Sequence, residues 1–160
     1  MRTISSLFVM TKDKFAKAGM HDASIEAEVL IRYILNIDRE QYFTKLDDHV
    51  KPCVIRKLNS LVHTRLGGEP LAYIIGNKEF YALEFLVTND VLIPRPETEL
   101  LVDIASDHIM HLCNSYNKAP RVIDICTGSG AIAISLAVNY PEIQVFASDI
   151  SAATLKVAKR

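Results

Sequence analysis

The stretch "VIDICTGSGAIAI", residues 122–134, decides the fold of the second half of this sequence. Its nearly continuous apolar start predicts a strand covered on both faces, as in a parallel sheet. The glycines of "TGSG" predict a tight turn, and the apolar run "AIAISLAVNY" after them predicts a helix. A second strand, "IQVFAS", then leads to Asp149 and a further helix. This order is typical of a βαβ unit that opens a doubly wound α/β sheet.

The sheet so predicted is short. About two strands fit before Arg160, whereas a parallel sheet needs several strands with helices on both faces. We therefore expect an α/β domain that is truncated, occupying residues 95–160.

A small helical bundle is predicted for residues 1–76. Apolar residues recur at helical spacing in 4–18, in 22–35 after Asp22 or Ser24, and in 52–66, which ends at two glycines. Asp38 followed by Gln41 predicts a capping box, and Pro70 starts a last short turn that stops at Gly76.

A linker, residues 77–94, joins these two parts. "KEFYALEFLV" is rich in aromatic and branched residues and predicts a hairpin or paired extended segments, with a turn at Asn89–Asp90 before "VLI". Phe80, Tyr81 and Phe85 are expected to pack within it. In "PRPETELLVDIA" we expect extended chain through Arg95, a helix from Pro96 to about Cys113, and then a loop, "NSYNKAP".

Composition narrows the class of protein. Hydrophobic residues make up 49% and charged residues 23% of the 160, which indicates a globular chain. A net charge of −1 without like-charge blocks argues against a direct nucleic-acid surface, and no run is long enough to span a membrane. Three unpaired cysteines and the lack of a signal peptide predict a cytoplasmic protein.

The glycine turn limits the choice of ligand. A P-loop needs Lys and Ser or Thr after its last glycine, but Gly130 is followed by Ala131 and Ile132. The spelling G-x-G-x-x-A fits a dinucleotide, with Asp149 placed 19 residues after Gly130 (149 − 130) as a ribose-binding acid. The alternative function is therefore an NAD(P)-dependent oxidoreductase.

Asp124 favours a different cofactor. It lies inside the predicted strand, where a carboxylate would repel a pyrophosphate but attract a cationic group. S-adenosylmethionine has such a group, together with a ribose for Asp149. Two plainer roles stay open: Asp124 could satisfy backbone donors at the strand end, and Asp149 could be a helix N-cap.

Three stretches together resemble one family. "GGEPLAYIIGNKEF", "VLIPRPETELLVD" and "VIDICTGSGAIAISLA" occur in this order and are similar to the HemK/PrmC-type protein-(glutamine-N5) methyltransferases. The resemblance covers essentially the whole chain: a helical substrate-recognition domain, a hairpin linker and the start of a class I, Rossmann-like methyltransferase domain. Generic methyltransferases lack "IPRPETE", which makes that segment the most diagnostic.

The resemblance implies an activity in translation termination. S-adenosylmethionine methylates the side-chain amide nitrogen of the glutamine in the Gly-Gly-Gln motif of class I peptide chain release factors. In the family an Asn-Pro-Pro-Tyr motif holds that amide, so catalysis is mostly positioning. No two prolines are adjacent in this sequence. We therefore expect no catalytic residue here and an inactive chain, with a non-catalytic release-factor-binding fragment as a further alternative.

The resemblance also assigns residues. Cofactor binding falls to Asp124, Cys126, Thr127, Gly128, Ser129, Gly130 and Asp149. Arg95, Glu97 and Thr98 are weaker candidates for the substrate loop. Cys126 replaces a glycine of the family pattern, and we expect binding to tolerate it unless the position requires a positive φ.

Two further expectations concern metals and assembly. His108, His111 and Cys113 lie close in sequence without a fourth ligand, so no metal site is expected. The full-length protein is expected to be a monomer.

Overall fold

The computed structural model describes residues 2–116 and 119–160. Its contacts divide the chain into two compact units, Met1–Ile75 and Gly76–Arg160. None of the described helices is both long enough and apolar enough to cross a membrane.

The first unit is all helical, as predicted. Its five helices are α1 (Ile4–Lys17), α2 (Ala23–Leu35), α3 (Arg39–Thr44), α4 (Pro52–Leu66) and α5 (Leu71–Ile75). Their apolar faces meet in one core, in which Phe15, Leu30 and Leu58 are fully buried. Because every helix has a partner face within the unit, the helical periodicity of the sequence was enough to predict it.

The ends of these helices follow local chemistry. The Asp38 carboxylate accepts a hydrogen bond from the Gln41 backbone N–H at 2.7 Å, and the Gln41 side chain accepts one from Asp38 at 3.3 Å. The predicted capping box is therefore confirmed. Asp22 occupies the N-cap of α2 but makes no side-chain cap bond, and Asn36 ends α2 in the left-handed conformation.

The hairpin is present, but its turn is not where we predicted. β1 (Asn77–Phe80) pairs with β2 (Leu83–Leu86) in antiparallel register, so the turn is formed by Tyr81 and Ala82. Both have positive φ, 51° and 59°. Such positions usually carry Asn, Asp or Gly, so the residue types Tyr and Ala do not indicate a turn there. Asn89 and Asp90 form a turn that follows the hairpin, and "VLI" forms no strand.

The segment "PRPETE" also differs in detail. Pro96–Thr98 form one turn of 3₁₀ helix, and α6 (Glu99–Tyr116) follows it. Helix α6 therefore extends three residues beyond the predicted end at Cys113, and the predicted loop is helical through Tyr116. The next part of that predicted loop, residues 117–118, lies outside the described residues.

The βαβ unit forms as predicted. β3 (Arg121–Ile125), α7 (Ala131–Asn139), β4 (Gln144–Ser148) and α8 (Ala152–Ala158) follow in order. β3 and β4 are parallel, with Asp124 opposite Ala147 and Ile125 opposite Ser148. This order agrees with the start of a Rossmann-like methyltransferase domain.

Only one face of this sheet is covered in the described structure. Val122 and Val145 pack against a core that includes Phe80, Val102 and Leu136. On the opposite face Ile123 and Ile125 are 61% and 69% exposed, and Phe146 is 51% exposed. The prediction that both faces of the first strand are covered is therefore wrong for the structure described, because no described element packs on that side.

Candidate cofactor site

The glycine loop begins where β3 ends and lies beside the end of β4. The backbone N–H of Thr127 donates to the Ser148 carbonyl at 2.9 Å, which fastens the loop to the neighbouring strand. Parallel strands bring their carboxyl ends to one edge, so the loop of β3 and Asp149 after β4 become neighbours although they are distant in sequence.

Asp149 connects the two strand ends. Its Oδ2 accepts a hydrogen bond from the Gly128 N–H at 3.1 Å, and its Oδ1 accepts one from the Ser151 N–H at 3.0 Å. The N–H groups of Ser151 and then Gly128 lower the pKa of Asp149 below its ordinary 3.8, because they stabilise the charged form. An ionised carboxylate has about four acceptor sites, so Asp149 can still accept from a further donor.

The plainer role considered for Asp149 is wrong. The N-cap of α8 is Ser151, whose hydroxyl accepts from the Thr154 N–H at 3.2 Å. Asp149 lies two residues earlier and faces the glycine loop. Its carboxylate therefore belongs to the edge where a ligand would lie.

Within the described residues, Asp124 likewise accepts no hydrogen bond from a backbone N–H. Its Oδ2 accepts a hydrogen bond from the Thr127 hydroxyl at 2.6 Å, and Thr127 is itself buried. This short charge-assisted bond fixes the carboxylate against the start of the loop. The other oxygen, Oδ1, accepts no hydrogen bond from any residue that the structure describes.

The edge formed by the glycine loop and its two aspartates presents hydrogen-bond acceptors to a ligand more than it presents donors. Three of its N–H groups bind protein oxygens: Thr127 to Ser148, Gly128 to Asp149, and Gly130 to Thr127 at 2.9 Å. A phosphate cradle needs backbone N–H groups directed at the ligand. Here three of those groups are occupied, and two carboxylates lie at the same edge. The arrangement therefore suits a ligand that carries hydroxyl donors and positive charge.

The two glycines serve different purposes. Gly130 has φ 83°, a conformation that strains any other residue, and a Cβ there would approach the end of the Ile134 side chain to 2.9 Å, so Ile134 would have to shift. Gly128 has φ 60°, but a Cβ would meet no atom within 4 Å. The space beside Gly128 is open, which is what close approach of a ligand requires. Ser129 between them is buried.

Cys126 lies at a position with a positive φ, the case in which we did not expect cofactor binding to tolerate it. Its φ is 65°, in the left-handed region, and its side chain is exposed. A side chain in this conformation costs roughly 1–2 kcal/mol relative to the right-handed region, a cost from which glycine is free. The substitution of glycine by cysteine is therefore strained, and the expected tolerance does not follow from side-chain size alone.

The weaker candidates lie on the segment that leads into α6. The Asp90 carbonyl accepts from the Thr154 hydroxyl at 2.7 Å, so the segment starts beside the helix that follows Asp149. Arg95 and Glu97 are exposed and Thr98 is half-buried. Among the described residues no hydrogen bond joins these three to loop 126–130, and their role stays a prediction.

Sequence reasoning missed Glu99. Its carboxylate Oε1 accepts a hydrogen bond from the Tyr81 N–H at 2.8 Å, and the Tyr81 hydroxyl donates to Asp103 at 2.8 Å. These two bonds hold the left-handed hairpin turn against α6. In the sequence, Glu99 is an acidic residue in the first turn of a helix. The positive end of the helix was enough to explain it, so no tertiary contact was predicted. Phe80 and Phe85 are buried in edge-to-face contact, as predicted.

His108 contacts its own helix. The His108 ring nitrogen Nδ1 lies 2.9 Å from the Ile104 carbonyl. Within the described residues no three His, Cys, Asp or Glu side chains lie together so as to hold a metal ion.

Two family profiles match this chain. The PrmC N-terminal domain matches residues 7–76, and the methyltransferase small domain matches residues 98–160. The first lies almost wholly within the helical unit, and the second contains α6, the glycine loop and Asp149.

Individual relatives agree with these profiles. Proteins named release factor glutamine methyltransferase from Bordetella pertussis and Burkholderia pseudomallei are each 41% identical over 94% of this chain, which covers 53% and 50% of their lengths. A bifunctional methyltransferase from Rickettsia prowazekii is 36% identical over 98% of the chain and 33% of its own length. The chain thus spans about half the length of the release factor enzymes that it matches.

Proposed function

We propose, from the premise that this chain belongs to the HemK/PrmC-type family of protein-(glutamine-N5) methyltransferases, that it binds S-adenosylmethionine at loop 126–130 and Asp149. The protein to which it corresponds would methylate the glutamine side-chain amide in the Gly-Gly-Gln motif of class I peptide chain release factors. Two relatives are named release factor glutamine methyltransferase, which supports the methylation of release factors in general.

The observation that carries the cofactor proposal is the surplus of acceptors at the loop. Asp149 would accept from the ribose hydroxyls with the lone pairs that Gly128 and Ser151 leave free. Asp124, fixed by Thr127, contributes negative charge toward the cationic methionine end. The Asp124 carboxylate would repel a dinucleotide pyrophosphate, and three loop N–H groups are already occupied.

The chemistry needs little from acids or bases. S-adenosylmethionine supplies a methyl group on a sulfonium centre, and the amide nitrogen forms its bond to that methyl carbon as the carbon–sulfur bond breaks. The amide loses a proton, and a neutral thioether remains. The residues described here would hold the cofactor; positioning of the amide falls to the Asn-Pro-Pro-Tyr motif of the family, which these 160 residues do not contain.

The helical unit is proposed to recognise the release factor. It matches the PrmC N-terminal domain and has a core of its own, so it can present a fixed surface to a protein substrate. The proposal can fail independently of the cofactor site. Titration of a class I release factor into the chain should give binding, and S-adenosylhomocysteine should leave that binding unchanged.

Calorimetric titration tests the cofactor proposal. The chain should bind S-adenosylhomocysteine and should not bind NAD⁺ under the same conditions. Tight binding of NAD⁺ with none of S-adenosylhomocysteine would contradict the proposal and favour an oxidoreductase. A methyl-transfer assay with a release factor should show no turnover by this chain, since it lacks Asn-Pro-Pro-Tyr.

A further inference from the structure

A continuous series of hydrogen bonds joins the glycine loop to the turn that follows the hairpin. Asp149 accepts from the Gly128 N–H at 3.1 Å and from the Ser151 N–H at 3.0 Å. The Ser151 hydroxyl accepts from the Thr154 N–H at 3.2 Å. The Thr154 hydroxyl then donates to the Asp90 carbonyl at 2.7 Å, although the two residues are 64 positions apart in sequence. The glycine loop, α8 and the linker therefore form one connected network.

Thr154 is the residue through which this network leaves α8. The helix does not need its hydroxyl, because the side-chain cap of α8 is supplied by Ser151. The Thr154 side chain is 6% exposed, and a buried hydroxyl that lost its acceptor would be left unsatisfied. The hydroxyl of Thr154 therefore serves the linker and not its own helix.

On the linker side, the bond reaches a locally formed turn. The Thr88 carbonyl accepts from the Val91 N–H at 3.0 Å, and the Thr88 hydroxyl accepts from the Asp90 N–H at 3.2 Å. The Val91 side chain is 4% exposed, so the end of the turn is buried. This turn begins the segment that leads to residues 95–98, and Thr154 fastens it to α8.

A second contact joins α8 to the glycine loop. A Cβ built on Gly130 would lie 3.4 Å from the Cβ of Ala158, the last residue of α8. Helix α8 therefore lies against the loop near its end and is tied to it through Asp149 at its start. A group that α8 holds is thereby held in a fixed place relative to the loop.

We propose that Thr154 is a positioning residue that couples cofactor binding to the position of the linker. The inference rests on the proposed function, because it takes S-adenosylmethionine as the ligand of Asp149. Ribose hydroxyls that donate to Asp149 fix its carboxylate, and with it the start of α8. Thr154 transmits that constraint to the Asp90 carbonyl, so that binding of the cofactor stabilises the linker turn against α8.

The coupling has to act in both directions. If the ligand favours the docked turn by some factor, the docked turn raises the affinity for the ligand by the same factor. One neutral hydrogen bond corresponds to a factor of about five in an equilibrium constant. We therefore expect about a fivefold effect on each side.

Hydrogen exchange measured by NMR on the full 160-residue chain tests the coupling. The amides of Asp90 and Val91, which form the linker turn, report its opening. Saturating S-adenosylhomocysteine should slow their exchange about fivefold in the wild type. In Thr154→Val the ligand should not slow it, and calorimetry should show an affinity for S-adenosylhomocysteine that is lower by about the same factor.

Two variants separate the hydroxyl from the packing of the side chain. Thr154→Ser keeps the hydroxyl and should retain both the slowing and the affinity. Thr11→Val is the same chemical change at a fully buried threonine of the helical unit, whose hydroxyl has no hydrogen-bond partner among the described residues. It should leave the affinity for S-adenosylhomocysteine and the exchange at Asp90 and Val91 unchanged.

The outcomes distinguish this inference from the proposed function. If S-adenosylhomocysteine binds the wild type without slowing exchange at Asp90 and Val91, the coupling is absent and the cofactor proposal stands. That measurement decides the question even if Thr154→Val does not fold. Equal slowing and equal affinity in the wild type and Thr154→Val would also overturn the inference. If the wild type does not bind S-adenosylhomocysteine, the proposed function fails and this inference fails with it.

Discussion

The two units treat their apolar residues differently. In the helical unit, Phe15, Leu30 and Leu58 are fully buried against neighbouring helices. In the α/β unit, Ile123 and Ile125 of the first parallel strand remain largely exposed, and so does Leu100 on α6. A helix pair can close a core locally, whereas a parallel sheet depends on elements that cross both of its faces. The helical unit therefore buries its own apolar core, whereas the α/β unit as described leaves one face of its sheet exposed.

The largest effect is expected from a matched pair of leucines. Leu58→Ala removes a fully buried side chain from α4 and should lower the free energy of unfolding of the helical unit by about 2–5 kcal/mol. Leu100→Ala, at a site 63% exposed on α6, should change the free energy of unfolding of the α/β unit by less than about 0.5 kcal/mol. Urea denaturation of both variants measures this. A large loss for Leu100→Ala would break the comparison, since that face would then be covered in solution.

Asp149→Asn tests whether the α/β unit binds a ligand beside Asp149 although one face of its sheet is exposed. The change removes the charge that Gly128 and Ser151 hold in place. Loss of a charged hydrogen-bond partner should weaken S-adenosylhomocysteine binding about tenfold or more. Asp47→Asn serves as a control of equal charge change in the helical unit. An unchanged affinity for Asp149→Asn would remove Asp149 from the site.

Helix capping offers a smaller test inside the helical unit. Asp38→Ala removes the carboxylate that accepts from the Gln41 N–H, whereas the backbone N–H of residue 38 can still donate to the Gln41 side chain, and the change should cost about 1 kcal/mol of stability. Asp22→Ala removes an N-cap residue whose side chain makes no cap bond, and it should cost clearly less. Chemical denaturation measures both variants. Equal losses would mean that the side-chain hydrogen bond of Asp38 does not determine the effect of its cap.

Cys126→Gly should produce a small gain. Glycine avoids the cost of a side chain at φ 65°, partly offset by its greater freedom in the unfolded chain, so a net gain of about 0.5–1 kcal/mol is expected. Cys126→Ala keeps a Cβ and should give no gain. The free energy of unfolding of the α/β unit is the quantity to compare. If the alanine variant gained as much as the glycine variant, the thiol and not the backbone would be the cause.

The smallest effect is a pH shift at one carboxyl. Ser151 and Gly128 hold the pKa of Asp149 below 3.8 in the folded chain, so their contribution to stability is present above about pH 3.8. That contribution is lost as the pH falls through the lowered pKa, and it does not vary between pH 5 and pH 8. Carbon-detected NMR of the Asp149 carboxyl measures the titration. A midpoint at or above 3.8 would contradict the hydrogen bonds from the loop.

The sequence predicted the elements whose causes are local. The bounds of the longer helices in the helical unit, the capping box of Asp38 and Gln41, and the βαβ order follow from periodicity and turn residues that act within a few positions. The hairpin turn at Tyr81 and Ala82 could not be predicted, because Glu99 and Asp103 stabilise it from α6. Its cause is a tertiary contact, and no short-range rule contains it.

In the candidate site, too, some features could be predicted from the sequence and others could not. The spacing of Asp124, Gly128, Gly130 and Asp149 pointed to one edge of a parallel sheet, and the structure brings these residues together there. The spacing could not tell that Thr127 engages Asp124 or that Cys126 is left-handed. Both facts depend on backbone geometry that the residue types leave open.

The most direct test of the account is an NMR titration of the isotope-labelled chain with S-adenosylhomocysteine. Because the proposed ligand lies against loop 126–130 and Asp149, we predict that the amides of Gly128, Ser129 and Asp149 shift most. The core amides of the helical unit, such as those of Leu30 and Leu58, should not shift. NAD⁺ should leave all of these amides unchanged. Shifts of the loop amides with NAD⁺, and none with S-adenosylhomocysteine, would contradict the central claim.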